Sequence, residues 1–333
     1  MGSTELNRQE LPTILDLIDS LSYPLVAEMQ KWEHTHPSWA SFFGYTPEGK
    51  YYLSKRDDGA RLIPSGHRGA YFRGQNHFYE KCKPSLYRIT DHSLRVIERI
   101  KCYEFINLLF THPVLNSLIE KERVTIDKMA LAQHYGFATN LIDISCDIWS
   151  SAFFATTKYN SVDGSYTPVD ENYGDGIGVM YVSKRVFYDP RINDLGFNFF
   201  PRPYKQMGAT YSMGPNEDFN KVDMFKKLFF RHDKQASEWV YEMSYRQKKY
   251  FPDDILAEKA AQIQNTHVLS TMAVKALTTE SPISFDEIKN ICEINNYRLT
   301  DSPIVSFEKD YCEAVLKQWE ETDLQIYMPL MKV

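Results

Sequence analysis

The chain has 333 residues, which exceeds the common single-domain size of about 100–150 residues, and 43% of them are hydrophobic. Its formal net charge of −6 argues against a protein that coats nucleic acid by charge alone, because such binding depends on Lys and Arg neutralising phosphates. Five widely spaced cysteines argue against a structural zinc site, and no run of about 18 apolar residues occurs. We therefore expect a reduced cytoplasmic protein with no metal site, no membrane span and no extended nucleic-acid surface.

Residues 1–65 are predicted to form an N-terminal layer of helices and loops. Apolar periodicity predicts two short helices within residues 12–33. Residues 44–68 are rich in glycine, proline and charged residues, which is typical of loops.

The first strong strand signal, at residues 69–75, contains an arginine close to its end. Its aromatic residues favour extended structure, and Gly74 would let the backbone approach a ligand closely. Arg73 could hold a phosphate or carboxylate through two parallel hydrogen bonds, although a structural ion pair explains a single arginine better. Arg88 lies nearby in sequence, and a second arginine favours an anion site.

Residues 92–119 show apolar side chains at mixed three- and four-residue spacing, which predicts a long helix. Glu104 lies among these apolar positions. An acid on an apolar face usually pairs with an arginine, so we expect Arg73 or Arg88 as its partner. The alternative is that Glu104 faces solvent.

Residues 131–155 combine a helix end, a turn, a strand and a second helix start. Gly136 follows a helical pattern and is predicted to be a left-handed cap. The apolar run at residues 141–144 predicts an interior strand, and Asp147 or Ser150 could cap the next helix. Polar groups at a strand-to-helix joint often form a ligand site.

The segment after this joint alternates between loops and strands. Residues 161–176 predict a surface excursion, and residues 177–182 predict a strand. Residues 237–241 alternate enough to predict another strand, on which Glu238 faces opposite to Trp239.

From residue 253 onward the pattern is helical. Residues 255–277 predict one long or broken helix, and Ser284 with Glu287 fits a capping box that opens another. Apolar residues at four-residue intervals predict a final helix near residues 307–319. We interpret this region as a helical extension for packing or partner binding.

Three kinds of chemistry fit the middle of the chain. A hydrolase could use Ser145 or Cys146 as its nucleophile, with His134 and Asp143 as base and orienting acid, but a G-x-S-x-G turn is absent. A metal enzyme could combine His134, Asp143, His232 and Asp233. It is supported less well, because no H-E-x-x-H or similar spacing places two ligands on one helical face. The third possibility is a pocket for a phosphorylated ligand, in which arginines neutralise phosphate while amides and hydroxyls orient a base or ribose. Its predicted ligand-binding residues are Arg73, Gln75, Arg88, His134, Thr139, Asp143 and Gln206.

Several short motifs occur in a specific order between residues 66 and 210. They are Phe72-Arg-Gly-Gln75, Pro84-Ser-Leu-Tyr-Arg88, Glu104, Leu131-Ala-Gln-His-Tyr-Gly-Phe-Ala-Thr139, Leu141-Ile-Asp143, Ala152-Phe-Phe-Ala155 and Gln206-Met-Gly-Ala209. Together these motifs resemble the FRG domain. The family usually has Thr-Arg-Leu-Leu-Asp where this chain has Thr139-Asn-Leu-Ile-Asp143. If the family's arginine binds an anion, that contact is missing at Asn140 or is supplied by another residue.

The same order of elements is more distantly similar to ADP-ribosyltransferases, which use an aromatic-Arg-Gly strand end, a Ser/Thr strand end and a later glutamate. This resemblance implies that Arg73 holds the diphosphate of NAD. It implies further that Ser145 braces the site and that Glu238 stabilises the oxocarbenium-like ribose or activates the acceptor. The chain has neither a Ser-Thr-Ser triplet nor a Glu-x-Glu pair.

We therefore expect an α+β protein with a mixed central sheet flanked by helices. The predicted parts are an N-terminal layer at residues 1–65, an FRG-like domain at residues 66–250 and a helical extension at residues 251–333. The resemblance implies a toxin-like or defence effector that uses NAD to modify a macromolecule. The alternative is a non-catalytic module that senses a nucleotide or nucleic-acid fragment and signals through its helical tail.

Overall fold

The computed structural model describes residues 7–21, 43–45, 51–56, 59–64, 70–116, 126–183, 189–195 and 200–320. The described part of the first helix, α1, covers residues 14–21, and that of α4 covers residues 113–116. The second helix predicted within residues 12–33 lies outside the described residues. Within the described ranges, no helix has the length and apolar character needed to span a membrane.

The remaining α-helices and the strands have the following bounds. The helices are α2 (Ser85–Arg88), α3 (His92–Thr111), α5 (Lys128–His134), α6 (Ile148–Thr156), α7 (Pro201–Lys205), α8 (Lys234–Met243), α9 (Ile255–Asn265), α10 (Thr271–Glu280), α11 (Phe285–Ile294) and α12 (Lys309–Glu320). The strands are β1 (Phe43–Tyr45), β2 (Tyr51–Arg56), β3 (Gly59–Pro64), β4 (Phe72–Gln75), β5 (Leu141–Ser145), β6 (Thr157–Asn160), β7 (Ser165–Pro168), β8 (Ile177–Ser183), β9 (Ile192–Asp194), β10 (Gly208–Ser212), β11 (Phe225–Arg231), β12 (Val268–Ser270) and β13 (Arg298–Thr300).

A six-stranded sheet with the order β11-β8-β4-β5-β10-β9 forms the centre of the fold. Every neighbouring pair in this sheet is antiparallel, whereas β12 and β13 form a small parallel pair. The predicted α+β class, with helices around a central sheet and a helical C-terminal region, is confirmed.

The register of the sheet brings three strand ends together at Ser145. Phe72 at the start of β4 and Gly208 at the start of β10 both lie opposite Ser145 at the end of β5. The motifs at residues 72–75, 141–145 and 206–209 are therefore close together in space, although they are far apart in the sequence.

Helix α6 packs directly on β4, and this contact depends on Gly74. A Cβ atom at position 74 would lie 1.8 Å from the Ser151 carbonyl oxygen and 2.7 Å from the Ala155 Cβ. The space that a side chain at position 74 would occupy is thus filled by α6. Gly74 also lines the cavity described below, so close approach of a ligand to its backbone stays a prediction.

A second core joins α3 to the C-terminal helices. Buried side chains of α3 and α5 share one apolar cluster with those of α9, α10 and α11. Glu104 lies inside this region and accepts hydrogen bonds from the Ser270 amide and hydroxyl, so its predicted pairing with an arginine is wrong. The division of the chain into three parts stays a prediction. This core contains residues from both sides of the predicted boundary at position 251.

Several predicted helix ends are confirmed. Gly136 has φ +85°, and the Phe137 amide donates to the Ala132 carbonyl, which is a Schellman cap. Asp147 caps α6 through the amides of residues 149 and 150, and Ser284 caps α11 through the Glu287 amide.

Two expectations about strands were wrong. Residues 237–241 belong to helix α8, because Asp233 caps its first turn and the buried side chains of Ala236 and Val240 recur after four residues. Residues 44–68, predicted as loops, contain β2 and β3, which form a three-stranded sheet with β1. The predicted surface excursion at residues 161–176 does lie at the surface, and it contains β7, which forms a hairpin with β6.

Candidate functional site

A cavity of about 800 Å³ lies against β4, β5, α5 and α6, and its size falls within the range of about 300–1,000 Å³ that is usual for ligand sites. Further lining comes from the β6–β7 hairpin, from α7 and from α9. The cavity therefore draws on both the central sheet and the C-terminal helices.

Three guanidinium groups line the cavity, from Arg73, Arg88 and Arg202. Among the described lining residues, Asp143 is the single carboxylate. The excess of positive charge favours an anionic ligand, because each guanidinium offers a planar set of donors to phosphate or carboxylate.

Arg73 extends from β4 toward the neighbouring strand β5. Its Nη1 donates to the backbone carbonyl of Asp143 at 2.7 Å, while its buried Nε has no hydrogen-bond partner among the described residues. The expected pairing of Arg73 with a carboxylate is not observed within the described ranges, so its charge remains available to a ligand.

Asp143 is held by an amide relay that begins behind the cavity. The buried Thr139 hydroxyl donates to the side-chain oxygen Oε1 of Gln133. The side-chain nitrogen Nε2 of Gln133 in turn donates to Asp143 Oδ2 at 2.8 Å. A carboxylate only accepts hydrogen bonds, so this contact fixes the orientation of the amide. The Asp143 side chain stays 44% exposed, and the relay therefore presents a fixed carboxylate to the cavity.

His134 is oriented by Gln206 in the same way. The Gln206 amide donates to the Tyr250 carbonyl at 3.0 Å, which leaves its oxygen to accept from His134 Nδ1 at 3.0 Å. Nδ1 therefore carries the proton, and Nε2 lies 3.8 Å from Asp143 Oδ1. Burial lowers the pKa of His134, against the opposing effects of Asp143 and Gln206, which favours the neutral imidazole.

Unpaired buried polar atoms concentrate around the cavity. Of the buried side-chain nitrogen and oxygen atoms without a hydrogen-bond partner among the described residues, those of cavity-lining residues are Arg73 Nε, Gln75 Oε1, His134 Nε2, Asp143 Oδ1, Ser150 Oγ and Arg202 Nε. Buried polar groups are normally satisfied, so such a cluster points to a polar partner within the cavity.

Four aromatic side chains form what we call the aromatic wall: Phe154, Tyr159, Tyr166 and Phe251. The rings of Tyr166 and Phe251 are stacked, with centroids 5.0 Å apart and an angle of 25°. The Arg202 guanidinium carbon lies 4.7 Å from the centre of the Phe251 ring. A planar ligand group could stack on this wall beside a cation.

The structure brings most of the predicted site residues together. Cavity-lining members of the predicted set are Arg73, Gln75, Arg88, His134, Asp143, Ser145 and Gln206. Thr139 lies directly behind them and holds Gln133.

Glu238 is the exception, and its predicted position on a strand was wrong. It is exposed on helix α8, pairs with Lys234 at 3.9 Å, and does not belong to the cavity lining. Asn140 also lies outside the lining, and its backbone carbonyl accepts from the Met213 amide.

Ser145 has a bracing geometry. Its buried hydroxyl donates to the Gln206 carbonyl at 2.6 Å and accepts from the Asp147 amide at 2.9 Å. It is not hydrogen-bonded to His134, so the nucleophile–base pair of a hydrolase is not assembled. Nor could any group of three or more His, Cys, Asp or Glu side chains within the described ranges hold a metal ion.

Residues that sequence reasoning missed include Gln133, Arg202 and the aromatic wall. Gln133 stands in the motif at residues 131–139, so its place beside His134 was a usable signal. Arg202 precedes Gln206 by four residues, a spacing that one helical turn brings together. The aromatic wall gave no signal, because 14% of all residues are aromatic.

A search of curated proteins and a search of solved structures each gave no match. A family model does match, over residues 68–164, which is a shorter region than the expected 66–210. This region holds β4, α3, α5, β5 and α6, and with them Arg73, His134 and Asp143. The chain therefore contains an FRG domain at residues 68–164.

Proposed function

We propose that the cavity binds a nucleotide, with NAD as the first candidate. The observation that carries this proposal is the combination of three arginines and an aromatic wall around one cavity with unpaired polar atoms. Phosphates would lie against the guanidinium groups, and a base would stack on the aromatic rings.

The reaction that fits such a ligand is transfer of ADP-ribose from NAD to a macromolecule. The bond between ribose C1′ and nicotinamide breaks, nicotinamide leaves, and a nucleophile of the acceptor bonds to C1′ and releases its proton. In this proposal Arg73 binds the diphosphate and Ser145 keeps β5 in place. Glu238 does not line the cavity, so Asp143 takes the acidic role in its place. The fixed carboxylate of Asp143 would stabilise positive charge on the ribose.

A second candidate function is nucleotide sensing without catalysis. It is favoured by the participation of helix α9, which contributes Ala257, Ala261 and Gln264 to the lining. Gln264 also donates to the Tyr135 carbonyl at the end of α5. A bound ligand would thus contact the helices of the C-terminal core directly.

Two measurements separate these functions. Calorimetric titration with NAD, ADP and pyrophosphate tests binding, and absence of binding by all three would overturn the nucleotide proposal. Incubation with labelled NAD and a cell extract then tests transfer. We expect labelled protein and released nicotinamide from the wild-type chain, and about a hundredfold less from Asp143→Asn, as is usual when an electrostatic contact to the reacting centre is removed. Binding of NAD without either product would assign the sensing function.

A further inference from the structure

The chain between α8 and the aromatic wall makes a left-handed turn that is built from ordinary residues. Tyr245, Arg246 and Gln247 have φ values of 51°, 51° and 75°. Side chains with a Cβ atom rarely adopt this conformation, and three in succession store strain. Strain of this kind persists only where surrounding contacts impose it, and it is common at ligand sites.

Gln247 connects this turn to both sides of the aromatic wall. Its side-chain oxygen accepts from the backbone amide of Tyr166 at 2.7 Å. Its backbone carbonyl accepts from the amides of Tyr250 and Phe251 at 3.0 and 2.9 Å. One residue thereby fixes the backbone beneath both rings of the stacked pair.

The same turn also supports the polar relay. The Tyr250 carbonyl that follows the turn accepts the Gln206 amide, and Gln206 in turn orients His134. By contrast, Arg246 is exposed, its guanidinium donates to Glu242 and its backbone amide donates to the Tyr241 carbonyl, both on the preceding helix. Arg246 and Gln247 thus both have a positive φ, but of these two residues it is Gln247 that contacts the aromatic wall.

We propose that Gln247 is a positioning residue that sets recognition of the ligand's base, by holding Phe251 against Tyr166. This inference rests on the proposed nucleotide function. It assigns the specificity of the cavity for the nucleotide's base to the strained turn at residues 245–247. Arg73 and Arg88 lie on β4 and α2, so Gln247 should affect the base and leave the phosphate contacts of these two arginines intact.

The test compares ADP with pyrophosphate on matched variants of the full chain. Gln247→Gly relieves strain but removes the side-chain contact to Tyr166, whereas Arg246→Gly relieves strain and keeps that contact. We expect Gln247→Gly to weaken ADP binding about tenfold, in line with a lost stacking contact, and to leave pyrophosphate binding unchanged. Arg246→Gly should bind both probes as the wild type does, and Gln247→Glu, which retains the accepting oxygen, should restore most of the ADP affinity.

Thermal unfolding of each variant shows whether the chain remains folded. Arg246→Gly should unfold at or above the wild-type temperature, whereas in Gln247→Gly the lost hydrogen bond to the Tyr166 amide offsets the relieved strain. Equal weakening of ADP and pyrophosphate in Gln247→Gly, or no weakening of either, would overturn the role of Gln247 while nucleotide binding stands. If the wild-type chain binds neither probe, the proposed function and this inference fail together.

Discussion

The cavity lining falls into two parts that the chain encodes differently. The N-terminal lining comes from residues 72–159 and lies within the FRG match, whereas the C-terminal lining comes from residues 166–264 and lies outside it. The first part is built from strand ends and helix caps whose residues follow compact motifs. The second part is positioned by a strained turn and by packing against α9. Local signals therefore reveal one part of the site, and tertiary contacts determine the other.

The largest effect should come from adding a side chain at Gly74, where β4 and α6 of the N-terminal lining are in direct contact. We expect Gly74→Ala to lower the free energy of unfolding by about 3 kcal/mol or more, because the added Cβ would overlap the backbone of α6. Denaturant unfolding measures this change. Gly214→Ala is a matched control, since its nearest atom is a flexible Glu217 side chain at 3.4 Å, and it should change stability by less than about 0.5 kcal/mol. A tolerated Gly74→Ala would show that α6 can move away from β4.

The next prediction compares the loss of nucleotide affinity when an arginine is removed from each part of the lining. We expect Arg73→Ala to weaken nucleotide binding about thirtyfold, which corresponds to about 2 kcal/mol for a charge-assisted contact. Arg202→Ala should cost only about fivefold, because the nearby Asp254 already offsets part of its charge. Calorimetric titration with ADP measures both, and Arg246→Ala controls for removal of an exposed arginine. A larger loss from Arg202 would move the phosphate site to the C-terminal lining.

Sequence reasoning located the N-terminal lining because its signals are local. A glycine after α5, an aspartate before α6 and an arginine within β4 each act within a few residues of their own position. Such signals fixed helix ends and the strand β5, and they grouped Arg73, His134 and Asp143 on one side of a cavity.

The parts that were missed depend on contacts across the chain. The alternation at residues 237–241 resembles a strand in isolation, but Asp233 and the burial of Val240 against the sheet layer select a helix. Glu104 was matched with an arginine by charge, whereas the fold supplies the Ser270 amide and hydroxyl from the start of α10. The strained turn could not be predicted either, since no residue type in Tyr245, Arg246 and Gln247 favours a positive φ.

The pH dependence of stability should show whether the N-terminal region that contains α3 and the C-terminal helices unfold as one unit. His112 at the end of α3 is fully buried, and its Nδ1 accepts from the Leu115 amide while Nε2 lies 3.2 Å from the Tyr311 hydroxyl. Burial lowers the pKa of His112 to about 4. In the unfolded chain this pKa is about 6.5, so the unfolded state binds an extra proton between these values and stability falls as the pH falls.

We expect His112 to account for a loss of about 2 kcal/mol in the free energy of unfolding from pH 7.5 to pH 5. The measurement is the difference in pH dependence between the wild type and His112→Gln, with the exposed His92→Gln as control. Because the second core joins α3 to the C-terminal helices, a single transition should carry the whole shift. Two transitions, with only the C-terminal one sensitive to pH, would instead separate the regions.

The smallest effect should come from Glu238→Gln, which tests the sequence-based assignment directly. Glu238 is exposed on α8 and pairs with Lys234 at 3.9 Å, and an exposed pair of this kind contributes less than about 1 kcal/mol. We expect unchanged nucleotide affinity and unchanged transfer of label from NAD, whereas Asp143→Asn should lose the transfer activity. If Glu238→Gln abolishes transfer while binding and stability are retained, helix α8 must move to the cavity during the reaction, and the strained turn beside it becomes the hinge to examine.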